Sequence, residues 1–91
     1  MMEVMTLHRE MTGEEGEQCR VRYALTEERC GGERLYGVLC CTEGLPPREG
    51  SCCRLPAWLT DRLLGELLVE YLAAREVTPP QLADAVCELL P

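Results

Sequence analysis

Residues 56–75 read PAWLTDRLLGELLVEYLAAR, and residues 76–90 read EVTPPQLADAVCELL. The first stretch decides the fold. Leu59, Leu63, Leu67 and Tyr71 recur every four residues, and Leu64, Leu68 and Leu72 run in the neighbouring row. Together they form a stripe of helical period, broad enough to cover a sheet. Asp61, Arg62, Glu66, Glu70 and Arg75 fall mostly outside it. Pro56 suits a first helical turn, where its missing N–H has no partner in any case. The spacing predicts a helix over about residues 56–75. Inside it, Gly65 is unfavourable by about 1 kcal/mol relative to alanine, which points to a close packing contact.

A second helix is predicted over residues 79–90. Thr78 is its N-cap, Pro79 its first helical residue, and Gln81 completes a T-x-x-Q capping box. Leu82, Ala85, Val86, Leu89 and Leu90 form its apolar face, with Cys87 beside them. Either stripe could serve as a binding groove. A helix lying on a sheet needs such a stripe for its own core, so both are read as core.

Upstream of the helices the period changes from helical to alternating. Residues 18–28 alternate most clearly, with Cys19, Val21, Tyr23 and Leu25 inward and Arg20, Arg22, Ala24 and Thr26 outward. Residues 2–11 read as a first strand, with Met5, Leu7 and Met11 on one side and Thr6, His8 and Glu10 on the other. Residues 34–43 read as a third strand, apolar on both faces and therefore interior, and residues 51–55 as a short fourth. Gly37 weakens the third strand or marks a close approach. Polar or glycine- and proline-rich turns separate them at residues 12–17, 27–33 and 44–50.

A hairpin centred between Pro46 and Pro47 sets Cys40 opposite Cys53, Cys41 opposite Cys52, and Leu55 opposite Val38. That register puts Tyr36, Val38, Cys40, Cys53 and Leu55 beneath the helices. It leaves Leu39, Cys41 and Cys52 on the outer face, with Ala24 and Thr42 as further outer residues. Strands followed by helices, rather than alternating with them, predict an α+β domain. The expectation is an antiparallel sheet of about four strands over residues 2–55, with both helices packed on one face.

The chain has 91 residues, enough for one domain with a small core. Its net charge of −7 disfavours nucleic acid and anionic membrane surfaces as partners. Lys, Asn, Ile and Phe are absent, all residues with A/T-rich codons, so a G/C-rich coding sequence explains why all nine basic residues are arginine. Arginine forks for phosphate or carboxylate are then unnecessary. The sequence contains no apolar run long enough to span a membrane, and residues 1–11 lack the apolar stretch of a signal peptide. A cytoplasmic protein is expected, with its seven cysteines as thiols.

The paired cysteines Cys40, Cys41, Cys52 and Cys53 form the candidate thiol cluster. Strand neighbours point to opposite faces, so each face receives only two sulfurs, and no C-x-x-C is present. Zinc is therefore disfavoured. A redox reading pairs Cys41 with Cys52; facing strand positions stand slightly close for a relaxed disulfide, so such a bond would be readily reduced. The leading reading treats these thiols as small hydrophobes. His8, the only histidine, reads as a solvated strand residue, and the Glu14, Glu15, Glu17, Glu27 and Glu28 runs as solvating charge. Gly31-Gly32 lacks the Lys-Ser/Thr and the helix of a phosphate loop. No metal, cofactor or enzyme activity is implied.

Arg34-Leu35-Tyr36-Gly37-Val38 on a central strand and Val77-Thr78-Pro79-Pro80-Gln81-Leu82-Ala83-Asp84-Ala85-Val86 at the last helix carry one resemblance. The chain resembles a family of small bacterial proteins of unknown function, found mostly in spore-forming anaerobes and their relatives. That family has a Tyr-Gly strand and a closing helix begun by Thr-Pro or Ser-Pro. The resemblance implies the strand-then-helix layout, no assigned activity and no catalytic residue; the cysteine pairs are not part of its pattern.

The sequence therefore predicts a non-enzymatic module acting through contacts with a protein partner or with itself as a homodimer, with Leu39, Cys41 and Cys52 as the interface. The alternative is a cysteine-based zinc or redox sensor. A third reading is a small-ligand pocket near Tyr23, Tyr36 and Trp58, its ligand unspecified.

Overall fold

A computed structural model describes residues 2–12, 16, 18–43 and 52–89. Four strands, β1 (Met2–Thr12), β2 (Gln18–Cys30), β3 (Glu33–Glu43) and β4 (Cys52–Leu59), form one sheet in the order β1-β2-β3-β4. Every neighbouring pair is antiparallel. Helices α1 (Arg62–Ala74) and α2 (Leu82–Leu89) follow, with a 3-10 turn at Pro79–Gln81 leading into α2. The α+β architecture is the expected one. No helix among the described residues is long and apolar enough to cross a membrane.

The register also matches the sequence reading. Val38 pairs with Leu55, Cys40 with Cys53, and Cys41 with Cys52. Val21, Tyr23, Leu25, Tyr36, Val38 and Cys40 line the buried face. Thr42 pairs with Val21 and so shares this face, which corrects its expected outward placement. The β2–β3 turn is tighter than residues 27–33. Cys30 pairs with Glu33, and Gly31 and Gly32 take φ of +58° and +85°, the left-handed conformation a two-residue hairpin needs. The turns expected at residues 12–17 and 44–50 lie largely outside the described residues.

The first helix starts later than predicted. Pro56 lies in β4, at the sheet edge, where an absent N–H breaks no ladder. The strand runs on to Leu59, which pairs with Tyr36 after a bulge opposite Gly37. Asp61 then caps α1, its carboxylate accepting from the Leu63 N–H at 3.0 Å.

The face that α1 buries differs too. Gly65, Leu68, Val69, Leu72 and Ala73 face the core. Leu63 and Leu67, predicted as core, are 65% and 54% exposed. Gly65 sets the rotation: a Cβ there would lie 2.7 Å from Leu25 Cδ1. The helix seats its smallest residue where it meets the sheet most closely, and the Leu63 row is turned away.

Helix α1 ends in a Schellman motif. Glu76 N–H donates to the Ala73 carbonyl and Val77 N–H to the Leu72 carbonyl, both at 3.1 Å. Glu76 occupies the left-handed position at φ 52°, and Arg9 holds its carboxylate at 3.2 Å. Val77 then turns into the core. The predicted start signal of the last helix is present: the Thr78 N–H donates to Gln81 Oε1 at 3.2 Å. It opens the 3-10 turn rather than α2 itself. Leu82 and Val86 of α2 are buried. The side chains of Leu89 and Leu90, expected on this face, lie outside the described residues.

Candidate functional site

The outer face of the sheet carries the predicted interface residues. Cys41 and Cys52 continue a row from His8 through Arg22. Leu39 and Cys41 are half-buried, while Cys52 is exposed. Arg22 lies between Glu3 and Glu43, contacting the second at 3.0 Å. Arg54 pairs with Glu28 at 2.6 Å, Arg20 with Glu10 at 3.5 Å, and His8 approaches Glu43 at 4.0 Å. Beneath these long side chains Ala24 and Thr26 are buried although no second layer among the described residues covers them. Leu35, Ala24 and Leu39 are apolar positions of this face, and charged pairs flank them.

The cysteine pairs occupy two successive rungs of the β3–β4 ladder. Cys41 and Cys52 are joined as a disulfide, with Cα atoms 4.0 Å apart. The expectation that every cysteine is a thiol is corrected at this pair. Cys19, Cys30, Cys40, Cys53 and Cys87 are free. Cys40 and Cys53 face each other on the opposite, helix-covered side. The pleat therefore keeps the four sulfurs as two pairs, one outside and one inside. Among the described residues, no group of three or more His, Cys, Asp or Glu side chains is placed to hold a metal.

Cys40 belongs to a polar knot inside the core. The Tyr23 hydroxyl donates to the Val77 carbonyl at 2.6 Å, and Cys40 Sγ lies 3.7 Å from the same oxygen. Burial pushes the Cys40 thiol up to about 12, with Cys53 adding to the rise. Burial also raises the Tyr23 hydroxyl above the usual phenol range; Cys40 and Glu76 reinforce this, and Arg9 opposes it. A thiol held neutral in this way is a poor nucleophile. Its polar atoms serve to fasten the linker between the helices to the sheet.

The aromatic residues do not share a pocket. Tyr23 and Tyr36 are buried in the core. Trp58 is 39% exposed and lines a shallow groove of about 260 Å³ between β4 and α2, with Leu55, Pro56, Ala83, Val86 and Cys87.

Among the described residues, the most exposed leucines lie on α1. Leu63 and Leu67 project opposite the buried Gly65–Leu72 face, and Leu64, 37% exposed, lies on their flank. Arg62, Glu66 and Glu70 line the other flank, with Arg62 and Glu66 paired at 3.2 Å. The periodicity of the sequence had found this row but assigned it to the core. Gly65 and Ala73, small residues that hydrophobicity ranks low, were the signal for the true buried side. Comparisons with family models, with curated proteins and with solved structures find no match to this chain.

Proposed function

We propose that this chain is a small non-enzymatic interaction module that docks on another protein through the solvent-facing Leu63, Leu64 and Leu67 ridge of α1. The exposure of Leu63 and Leu67 carries this reading. Single exposed leucines are ordinary, but adjacent ones on the pole opposite the core form a patch that water solvates poorly. The ridge lies on a regular helix, the geometry used when a helix face meets a groove or a second helix. The earlier candidate at Leu39, Cys41 and Cys52 is weaker, because its neighbours already satisfy one another as ion pairs.

A photoreactive leucine analogue placed at position 67, in the cells that make the protein, tests the reading. Irradiation is expected to give covalent adducts of protein mass from position 67 and far fewer from position 8 on the outer sheet face. The absence of adducts at 67, or equal yields at both positions, would sink it.

The exposed Cys41–Cys52 bond favours a second reading, in which the contact responds to thiol redox state. Two molecules of a small thiol would reduce the bond to two cysteine thiols and leave as their own disulfide. Replacing both residues with valine suits an outer strand face. The interaction module is expected to keep its position-67 adducts in that variant. A redox-dependent adduct yield in the native chain that disappears in the variant would give precedence to the second reading.

A further inference from the structure

Resting on the α1 reading above, we infer that the protein docked on the ridge is a second copy of this chain, with the two α1 helices packed antiparallel about a two-fold axis. At about 100° per residue, Leu63 and Leu67 lie roughly 160–200° around the helix from Gly65, so they form the centre of the free face. Arg62, Glu66 and Glu70 descend one flank at intervals of four residues. Leu64 and Tyr71 descend the other, where Tyr71 is covered by the Arg75 guanidinium 4.9 Å from its ring.

A two-fold axis perpendicular to the helix sets each flank against the same flank of the other copy, running in reverse. The start of one meets the end of the other. Arg62 then faces Glu70 of the second copy, and the second Arg62 faces the first Glu70. Leu63 of each copy meets Leu67 of the other between these two ion pairs, and Glu66 lies near its own copy at the axis. Within one chain Arg62 is bonded to Glu66, while Glu70 makes no ion pair among the described residues. The free carboxylate stands at the end where the other arginine arrives. This local complementarity matters in a chain of net charge −7, which otherwise repels its own copies. The contact is isologous, so both copies bury the same residues and the assembly closes at two.

The contact is small. A helix of 13 residues offers a footprint of roughly 20 Å by 10 Å, about 200 Å² on each copy against about 800 Å² in a standard interface. The expected dissociation constant is therefore in the range of about 10–100 µM.

Sedimentation velocity on the full chain, from about 1 µM to about 500 µM, measures this directly. The native chain is expected to pass from monomer to dimer across that range. Leu67→Gln is expected to remain a monomer with an unchanged melting temperature, because the side chain lies outside the core. Arg62→Glu and Glu70→Arg are each expected to weaken association at least about tenfold, since each sets like charges together. An equimolar mixture of those two variants restores both ion pairs and is expected to associate like the native chain. A native monomer at every concentration would overturn the inference. So would a dimer that survives Leu67→Gln, or a mixture no tighter than its parts. The position-67 adducts separate the two readings. A monomeric chain that still forms adducts with a different protein overturns self-association and leaves the interaction module standing. A monomeric chain with no adducts overturns both.

Discussion

Gly37→Ala is expected to lose at least about 3 kcal/mol of stability, more than almost any other single methyl added to this molecule. A Cβ at Gly37 would lie 2.7 Å from the Leu55 carbonyl oxygen and 3.0 Å from the Ala57 nitrogen. Both are backbone atoms of β4, held by the pairing that carries the bulge from Leu55 to Leu59. Thr26 Oγ1, buried on the other side, lies 3.0 Å away. The two backbone atoms cannot yield without shifting β4 against β3. For a domain of 91 residues, 3 kcal/mol corresponds to a fall of about 12 °C or more in melting temperature. Gly65→Ala provides the comparison. Its Cβ meets only the end of the Leu25 side chain, and the helix gains about 1 kcal/mol of propensity. Its net cost is expected to stay below about 2 kcal/mol. Thermal melts that rank the two variants equally, or in the opposite order, would refute the backbone-contact account.

The second large effect is loss of stability in alkali. Cys40 titrates from an ordinary value of 9.0 in the open chain but near 12 when folded. Tyr23 is raised in the same sense from 10.0. Below about pH 9 both groups keep their protons in both states and the stability is complete. Above it, the unfolded chain releases the Cys40 proton while the folded chain retains it, so the unfolded state binds fewer protons and stability falls as pH rises. One group gives a slope of about 1.4 kcal/mol per pH unit, and the slope roughly doubles above about pH 10 as Tyr23 joins. The loss is expected to reach about 4 kcal/mol by about pH 11. Unfolding curves taken from neutral to alkaline pH check this against a Cys40→Val, Tyr23→Phe variant. That variant starts lower, because the Val77 carbonyl loses its donor, yet its decline with pH is expected to be shallower. Parallel declines would show that the knot at Val77 does not govern alkaline stability.

Much of the architecture could be read from residue order because each decision was local. Cys19, Val21, Tyr23 and Leu25 alternate cleanly, and the hairpin register followed from one assumed centre. The start of α1 misled because proline is equally at home in a first helical turn and on an edge strand; Asp61 was the better signal. The rotation of α1 misled for a different reason. Leucines cover about half of this helix, far more than its core contact, so their period cannot fix the rotation, and contact distance at Gly65 fixes it instead. The ion pairs of the outer face join residues from different strands. Glu3, Arg22 and Glu43 come together only once β1, β2 and β3 are neighbours. The Tyr23–Val77 bond likewise spans 54 residues. Contacts of that kind leave no local trace in a sequence.

The arrangement of elements also has a consequence in time. The four strands neighbour one another in chain order, so each hairpin can pair as soon as its second strand has left the ribosome. The helices that cover the sheet follow all of them. At ordinary rates of synthesis the apolar side, with Leu25 and Val38 at its centre, waits on the order of seconds for α1 and α2. During that interval the lattice of ion pairs on the opposite side keeps that face of the nascent sheet wetted. Growing chains on neighbouring ribosomes share an excess of negative charge and repel one another.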